Sequence, residues 1–516
     1  MNLRVKKILL LLLAVALLFG AGGVQQALNR DRTQLGLTRG SALTGAPPLL
    51  AFTTVALGGF RGLISNYLWI RANDLQMDDK FFEAAQLAEW ITALEPTFTQ
   101  VWLFQAWNMA YNISVKFKDF PDRWRWVKRG IELLRDDGLR YNPNDVLIHR
   151  ELAWFFQHKM GQNLDDANLY YKQQWAREMM PFFGPNGTNV AELLHPQTAE
   201  ALARVELFTN KYKMDPALVE KVNTEYGPLD WRLPEAHAIY WAAAGLEKAK
   251  ANPGKVKQDD LITLRRNIYQ SMLQAFYHGR YIADPFTGSY ELGPNLALVG
   301  KVNEAYETMM REDSKYAGNI AIAQRNFLRS AVYFLYQDNH LQEARHWFRY
   351  LGEQYPDKPI IDGEPDSLPR NVTLDQYAVA CVQGVVNETS QERVTAAIAG
   401  LLMRAYESLA LGEDNRYAGY RLLARKVYDR FQSEISDRAV NFQRIGLPPY
   451  ADLNKAVLDR LLDPERGMPY AARAIVRSQL GMPAETGAPP ATSATNAPPP
   501  AATAPTNTPA AKAAAR

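Results

Sequence analysis

Apolar residues recur at i, i+3, i+4 and i+7 through most of this 516-residue chain, and strict two-residue alternation over the length of a strand is hard to find. The first spacing places apolar side chains on one face of an α-helix, whereas alternation would place them on one face of a β-strand. Because the helical spacing recurs from about residue 48 to residue 485, it predicts an all-α fold.

Prolines follow several of these helical stretches, at Pro96, Pro143, Pro181 and Pro356. A proline just past a helix end stops the helix, since it cannot donate the backbone hydrogen bond that another turn requires. Regularly spaced stops of this kind indicate a repeated helical unit.

The clearest unit is RNFLRSAVYFLYQDNHLQEARHWFRYLGEQYPDK, residues 325–358. With Arg325 as position 1 of a 34-residue frame, Ala344 falls at position 20, Phe348 at 24 and Pro356 at 32. We expect Ala344 to be small because the two helices cross closest there, and Phe348 to fill the adjoining groove. Asn339 and His340 supply the turn between the helices. The other matching positions are Leu328 at 4, Ala331 at 7, Leu335 at 11 and Leu351 at 27.

A second unit spans residues 65–98, with Ala84 at position 20 and Pro96 at position 32. Its neighbour begins at Thr99 and exceeds 34 residues, so it requires an insertion, which we place around residues 116–123. A third unit, DVLIHRELAWFFQHKMGQNLDDANLYY, fits with two extra residues.

These positions resemble the tetratricopeptide-repeat (TPR) pattern over residues 65–180 and 325–358, and more loosely over a hairpin at about 395–432. The resemblance implies a TPR-like α-solenoid of stacked helical hairpins. The N-terminal anchor, GGFRGL segment and WLFQAWNMAYNIS helix are also similar to bacterial envelope-associated repeat proteins, a likeness that brings no activity with it.

The N-terminus has the pattern of an export signal, because Arg4, Lys6 and Lys7 precede an unbroken apolar run from Ile8 to about Val24. We favour an uncleaved anchor over a cleaved signal peptide. The positive-inside rule then places the N-terminus in the cytoplasm and the bulk of the chain in the periplasm. A second apolar stretch, residues 47–70, contains Arg61 and is expected to form a buried or membrane-surface first helix of the folded part.

Composition changes along the chain predict its organisation. The middle is less regular, with a GPNGTN loop and a turn-rich stretch at residues 283–295, and the C-terminal end is Ala/Pro/Thr-rich and expected to be disordered. The predicted segments are an anchor 1–24, a linker 25–47, TPR-like repeats 48–183, an irregular helical region 184–316, a second TPR-like region 317–485 and a tail 486–516.

Charge and motifs exclude several functions. Lys and Arg total 58 against 55 Asp and Glu, a balance too even for a nucleic-acid-binding surface. The single cysteine, Cys381, lies in an apolar setting typical of a packed side chain. No phosphate loop, nucleophile elbow or paired-histidine metal motif is present, so we expect no cofactor, no metal and no catalytic residue.

Other candidate residues fit structural roles better. We expect His237 to be packed or hydrogen-bonded, and the adjacent acids Asp165 and Asp166 to cap a helix. The pairs Trp102–Trp107 and Trp124–Trp126 suggest sugar stacking, but aromatic residues at this density usually fill a core.

The TPR frame predicts a partner-binding groove lined by positions 2, 5, 9 and 12 of each first helix. A polar and aromatic strip of this kind suits an extended peptide or a helix. The predicted residues are Asn66, Trp69, Asn73 and Gln76 in the first unit, and Asn326, Arg329, Tyr333 and Tyr336 in the clearest one.

Two functions remain open at this point. The first is a non-catalytic, membrane-anchored scaffold that binds envelope or membrane proteins through its groove and contacts the membrane through its N-terminal segment. The alternative is an exported α/α-toroid carbohydrate-active enzyme, which would also be all-helical and rich in Trp and Tyr. The 34-residue frame favours the scaffold, because toroid hairpins do not require one.

Overall fold

The computed structural model describes residues 60–252, 256–384, 391–436 and 447–485, together with scattered positions between 13 and 31. Most of these residues are helical, which confirms the all-α class. The exception within these ranges is an antiparallel pair of four-residue strands, in which Tyr281 lies opposite Leu292. Strands this short give too little alternation to be recognised, so the sequence indicated only a turn-rich stretch there.

The elements follow in chain order. Three helices continue as π-helical segments: Thr99–Trp107 into Asn108–Ile113, Phe120–Glu132 into Leu133–Gly138 and Val146–Trp154 into Phe155–Met160. The bounds are α1 Phe60–Met77, α2 Phe81–Leu94, α3 Thr99–Trp107, α4 Phe120–Glu132, α5 Val146–Trp154, α6 Asn168–Phe183, α7 Ala191–Leu194, α8 Ala199–Tyr212, α9 Pro216–Tyr226, α10 Pro234–Ala251, α11 Gln258–His278, β1 Arg280–Ala283, β2 Tyr290–Gly293, α12 Val299–Glu312, α13 Ala317–Gln337, α14 Leu341–Gln354, α15 Leu374–Gly384, α16 Gln391–Ala410, α17 Asp414–Ser436, α18 Tyr450–Leu461 and α19 Tyr470–Gln479.

The chain divides into two compact units. The first comprises the residues up to Ala283 together with Tyr290–Asn326, and the second comprises Asp284–Ser289 together with the residues from Phe327 onward. Within the first, α1 packs on α2, α5 packs on α10, and α10 packs on α11. Within the second, α16 packs against α17, α18 and α19.

The turns of the two 34-residue units have the same geometry. Asp79 and Asn339, both at position 15, adopt left-handed conformations with φ of 60° and 61°. In each turn the next amide donates a 2.8 Å hydrogen bond to a carbonyl five residues back, that of Leu75 or Leu335. This is a Schellman cap, which ends one helix and redirects the chain into the next. Gly412 forms the same kind of cap between α16 and α17, with φ of 74°.

Small buried residues mark the helix contacts. Ala84 and Ala344 are both 0% exposed, which is the burial expected at position 20. Ala72, Ala106 and Ala153 hold matching places on α1, α3 and α5 and are also fully buried. Alanine at a closest approach lets two helix backbones come together without displacing larger side chains.

One detail of the sequence interpretation was wrong. Pro181 does not stop its helix, because it lies inside α6, which continues to Phe183. The insertion placed around residues 116–123 falls at the turn of that hairpin, where the Asn108–Ile113 π-segment and a 3₁₀ turn at Ser114–Lys116 lengthen the first helix before α4 begins at Phe120.

The two ends of the chain fall largely outside the described residues. The predicted anchor 1–24 and linker 25–47 are described only at scattered positions, and the tail 486–516 is not described. Within the described part, no helix combines the length and the apolar character needed to cross a bilayer. The first helix, α1, exposes part of the apolar stretch that was expected to be buried or at a membrane surface: Leu63 is 67% and Tyr67 is 69% exposed.

Candidate functional site

The first set of predicted groove residues lies along one face of α1. Asn66 and Asn73 are exposed, whereas Trp69 and Gln76 are half-buried. The Trp69 ring is 5.0 Å from the Phe104 ring on α3, measured between centroids. The predicted positions of the first unit are therefore accessible and adjoin the next hairpin.

The second set lies on α13 and is only partly accessible. Asn326 is exposed, Tyr333 is half-buried, and Arg329 forms a 2.9 Å ion pair with Asp362. Tyr336 is 1% exposed, and its hydroxyl donates a 2.8 Å hydrogen bond to Asp375. The assignment of Tyr336 to a partner-binding surface is therefore corrected, because this side chain packs between α13 and α15.

Further aromatic side chains continue from Trp69 across the first helices of the next two hairpins. Trp107 lies one helical turn beyond Phe104 and is 38% exposed. Its ring stacks on that of Tyr111, with centroids 5.3 Å apart and an interplanar angle of 17°. The Tyr111 hydroxyl is 3.1 Å from Nδ1 of His158, whose ring stacks on Trp154 at 4.3 Å. We call this set the aromatic strip: Trp69, Phe104, Trp107, Tyr111, Trp154 and His158.

The strip depends on a repeat that the 34-residue frame does not capture. Helices α3 and α5 both have nine residues, end in a tryptophan and continue as a six-residue π-segment. Tyr111 and His158 hold the same place in these segments, 47 residues apart. A π-turn takes up an extra residue and rotates the following side chains, and such turns are frequent at functional sites. Here the π-segments bring Tyr111 and His158 beside the tryptophans.

One acidic side chain borders the strip. Burial raises the pKa of Glu151 to about 7, and the neighbouring Arg150 offsets this rise only in part. Burial also raises the pKa of Tyr111, to which the Glu151 carboxyl contributes. The pKa of His158 is lowered by burial and by the nearby Lys159. Near neutral pH the strip therefore presents a neutral imidazole and a protonated phenol.

The sequence interpretation found Trp69 but missed most of the strip. It predicted core packing for the tryptophan pairs, which is confirmed for Trp102 and Trp124, at 4% and 8% exposure, but wrong for Trp107. The available signal was the repeat of a Trp followed four residues later by Tyr or His, which Trp107 and Trp154 share. A 34-residue frame does not align Trp107 with Trp154, because these two positions are 47 residues apart.

Two buried acidic residues have fully structural surroundings. Asp165 accepts hydrogen bonds from Lys159 at 2.6 Å, and from Arg123 and Tyr171 at 3.1 Å. Although burial alone would raise its pKa, these donors hold it at about 2. It also accepts from the Ala167 amide at 2.9 Å, so Asp165 orders the turn that leads into α6, whose N-cap residue is Ala167 and not Asp165 as predicted.

Asp230 is hydrogen-bonded to Arg232, two residues further along the chain. The guanidinium donates to both carboxylate oxygens, at 2.8 and 2.6 Å, and also to the Pro185 and Tyr281 carbonyls. The pair therefore fastens the GPNGTN loop and β1 to the start of α10.

Two further titratable side chains are buried at the start of α10. Glu235 is 2% exposed and burial raises its pKa to about 7, against the opposing charge of Lys172. His237 is 0% exposed, with Nε2 2.9 Å from the Trp231 carbonyl, which confirms a packed, hydrogen-bonded histidine. Burial lowers its pKa to about 4.

Comparison of the chain with protein-family models, curated proteins and solved structures gave no match. Within the described residues, no three His, Cys, Asp or Glu side chains lie together as metal ligands.

Proposed function

We propose that this protein is a non-catalytic TPR-like scaffold, anchored to the membrane by its N-terminal segment, that binds an extended segment or a helix of an envelope protein along the aromatic strip. The repeated hairpins support this proposal. Asp79 and Asn339 hold the same place in identical turns, followed in each case by a fully buried alanine at position 20. Helical hairpins that repeat in this way stack into solenoids with a continuous binding surface.

The observation that carries the proposal is the strip itself. Exposed or half-buried aromatic side chains lie on three successive first helices, whereas Trp102 and Trp124 are buried as core residues. Trp and Tyr provide a large contact area at a small entropy cost and dominate the energetics of many protein interfaces. The side-chain amides of Asn66, Asn73 and Gln76 lie on α1, the helix that carries Trp69. They are suited to hydrogen bonds with the backbone of a bound segment.

The exposed apolar face of α1 supports a position at the membrane surface. Leu63, Tyr67 and Ile70 are 67%, 69% and 62% exposed and fall at i, i+4 and i+7. They form one stripe of a helix that follows the predicted anchor, and this stripe lies beside Asn66 and Asn73 on the helix surface. A helix with such a stripe lies stably in the interface plane of a bilayer.

The carbohydrate-active enzyme is a weaker alternative. Tryptophan faces also stack on sugars, and the raised pKa of Glu151 suits a general acid. The reaction needs a second carboxylate across a cleft, however, and Asp260, which lies against the neighbouring Arg150, is held in an ion pair with it. Among the described residues, the surroundings of the strip therefore supply one of the two carboxylates that this chemistry requires.

Cross-linking in native membranes followed by mass spectrometry tests the proposal. We expect the full-length protein to give specific cross-links that the double variant Trp107→Ala/Trp154→Ala loses. Trp90→Ala is the matched control, because Trp90 is 51% exposed on the second helix of the first hairpin and should be neutral. Unchanged cross-links in the double variant would refute the strip as the binding surface, and glycan-degrading activity of the purified protein would support the enzyme instead.

A further inference from the structure

A cavity of about 420 Å³ lies among α9, α10 and α11 in the first unit. This volume is within the range of about 300–1,000 Å³ that is typical of small-molecule sites. It is lined by Tyr226, Leu246, Ala249, Lys250, Val256, Leu261, Arg265, Ile268 and Tyr269. None of these residues belongs to the aromatic strip.

The walls of the cavity are mainly aliphatic. Ala249 and Ile268 are 5% and 1% exposed and close the inner side, while Leu246 and Leu261 are half-buried. Two tyrosines, Tyr226 and Tyr269, add ring faces and a hydroxyl each. Burial raises the pKa of both hydroxyls, so they stay protonated at neutral pH, and the Tyr226 hydroxyl is hydrogen-bonded to Glu225. The site therefore offers an apolar body with a few polar groups.

The charged side chains that line the cavity are both cationic. The Lys250 side chain is 75% exposed and lies 3.7 Å from Glu247, which bonds more closely to Lys221 at 2.5 Å. Arg265 is 34% exposed and lies 3.2 Å from Glu312, itself 41% exposed. Solvent-accessible pairs of this kind are weak. An anion at the mouth would therefore meet one loosely paired ammonium and one displaceable guanidinium.

We propose that this cavity binds a small amphipathic anion, with an aliphatic chain against Leu246, Leu261 and Ile268 and a carboxylate or phosphate head between Lys250 and Arg265. Apolar burial supplies the affinity, and the two cations select the charge of the head. The head belongs to a free fatty acid or to a single-chain phosphorylated lipid, which share this chemistry.

Calorimetric titration of the full-length protein, held in an amphipathic polymer, tests the site. The probes are octanoate and octyl phosphate, with octanol and octyltrimethylammonium as matched neutral and cationic chains. We expect both anions to bind at least about tenfold more tightly than octanol, since each charge-assisted contact adds to the same chain burial. The anion that binds more tightly shows whether the site prefers a carboxylate or a phosphate head group. Octanol binding as tightly as both anions, or no binding by either anion, would overturn the proposal.

Substitutions locate the binding. Arg265→Gln is expected to weaken octanoate binding about tenfold, whereas Arg266→Gln, at a neighbouring arginine that does not line the cavity, should leave it unchanged. Glu312→Gln should strengthen binding, because it releases Arg265 from its partner. Equal effects of the two arginine variants would contradict the assignment.

A cavity-filling variant gives an independent check. Ala249→Phe should abolish binding by occupying the inner wall, while Ala251→Phe, at an exposed position of the same helix, should not. Thermal unfolding establishes whether Ala249→Phe is folded, and the arginine and glutamate variants decide the matter if it is not. A folded Ala249→Phe protein that binds octanoate normally would refute the site.

Discussion

The hydroxyl of Tyr111 lies 3.1 Å from Nδ1 of His158, and the two residues hold the same place in consecutive hairpins. Each belongs to a π-helical segment that follows a nine-residue helix ending in tryptophan. This contact joins two half-buried side chains of the two hairpins and is part of the aromatic strip.

Trp102 and Trp107 should respond differently to truncation. Trp102→Ala removes a side chain that is 4% exposed and whose indole donates a 2.9 Å hydrogen bond to the Pro96 carbonyl, so we expect a loss of about 3–5 kcal/mol. Trp107→Ala removes a ring that is 38% exposed and should cost about 1 kcal/mol. Urea unfolding of the two variants measures both values. Equal losses would show that Trp107 is a core residue and remove it from the strip.

The alanines at position 20 should not tolerate enlargement. Ala84→Leu and Ala344→Leu each add three carbons at a site with no exposed surface, and each is expected to destabilise the protein by about 1–3 kcal/mol. Ala85→Leu is the control, because Ala85 is partly exposed on the same helix. Thermal unfolding compares the three variants, and a neutral Ala84→Leu would mean that the helices do not approach closely there.

The left-handed turns make a prediction about backbone conformation. Asn339→Gly should stabilise the protein or leave it unchanged, whereas Asn339→Val should destabilise it by about 1–2 kcal/mol, because a β-branched residue strongly disfavours φ of 61°. The same pair of substitutions at Asp79 should give the same pattern if the two turns are equivalent. Denaturant unfolding provides the measurement, and opposite trends at the two sites would contradict the shared turn.

Glu235 should make stability depend on pH. Its pKa is raised from 4.5 to about 7 in the folded protein, so the unfolded chain ionises first and the folded state is penalised as the pH rises. The penalty is absent below about pH 4.5 and complete above about pH 7, and it amounts to about 3 kcal/mol. Relative to Glu235→Gln, the native protein should therefore lose stability between these pH values.

His237 provides the opposite slope and the control for that experiment. Its pKa is lowered to about 4, so the unfolded state takes up a proton first and stability falls as the pH decreases from 6.5 towards 4. The Glu235→Gln variant retains this loss at low pH. Parallel stability curves for the two proteins from pH 4.5 to 7 would refute the burial of an ionising Glu235.

Periodicity was sufficient to predict the helical class and the hairpin register at Ala84 and Ala344, since apolar spacing and small residues directly reflect helix packing. The π-segments at Asn108–Ile113 and Phe155–Met160 were not predictable, because one extra residue in a turn barely changes the apolar pattern. The sequence also did not predict which tryptophans are exposed. Trp102 and Trp107 have the same chemistry, and only the packing of α3 makes one a core residue and the other a surface residue.

The burial of individual side chains was also not predictable from the sequence. Position 12 of the frame predicted exposure for Tyr336, but the contact with Asp375 on α15, 39 residues away, buries it. Likewise, Glu235 stands in a first helical turn, where acids are commonly exposed, and its burial comes from tertiary contacts around α10. Such long-range contacts are not encoded in local spacing.

Site-specific photo-cross-linking in living cells tests the central claim most directly. A benzophenone amino acid replaces Trp107 or Trp154 on the aromatic strip, or Trp90 on the second helix of the first hairpin, in the full-length protein. We predict that the two strip positions trap the same discrete protein partner and that position 90 does not. Identical adducts from all three positions, or adducts from position 90 alone, would contradict the account.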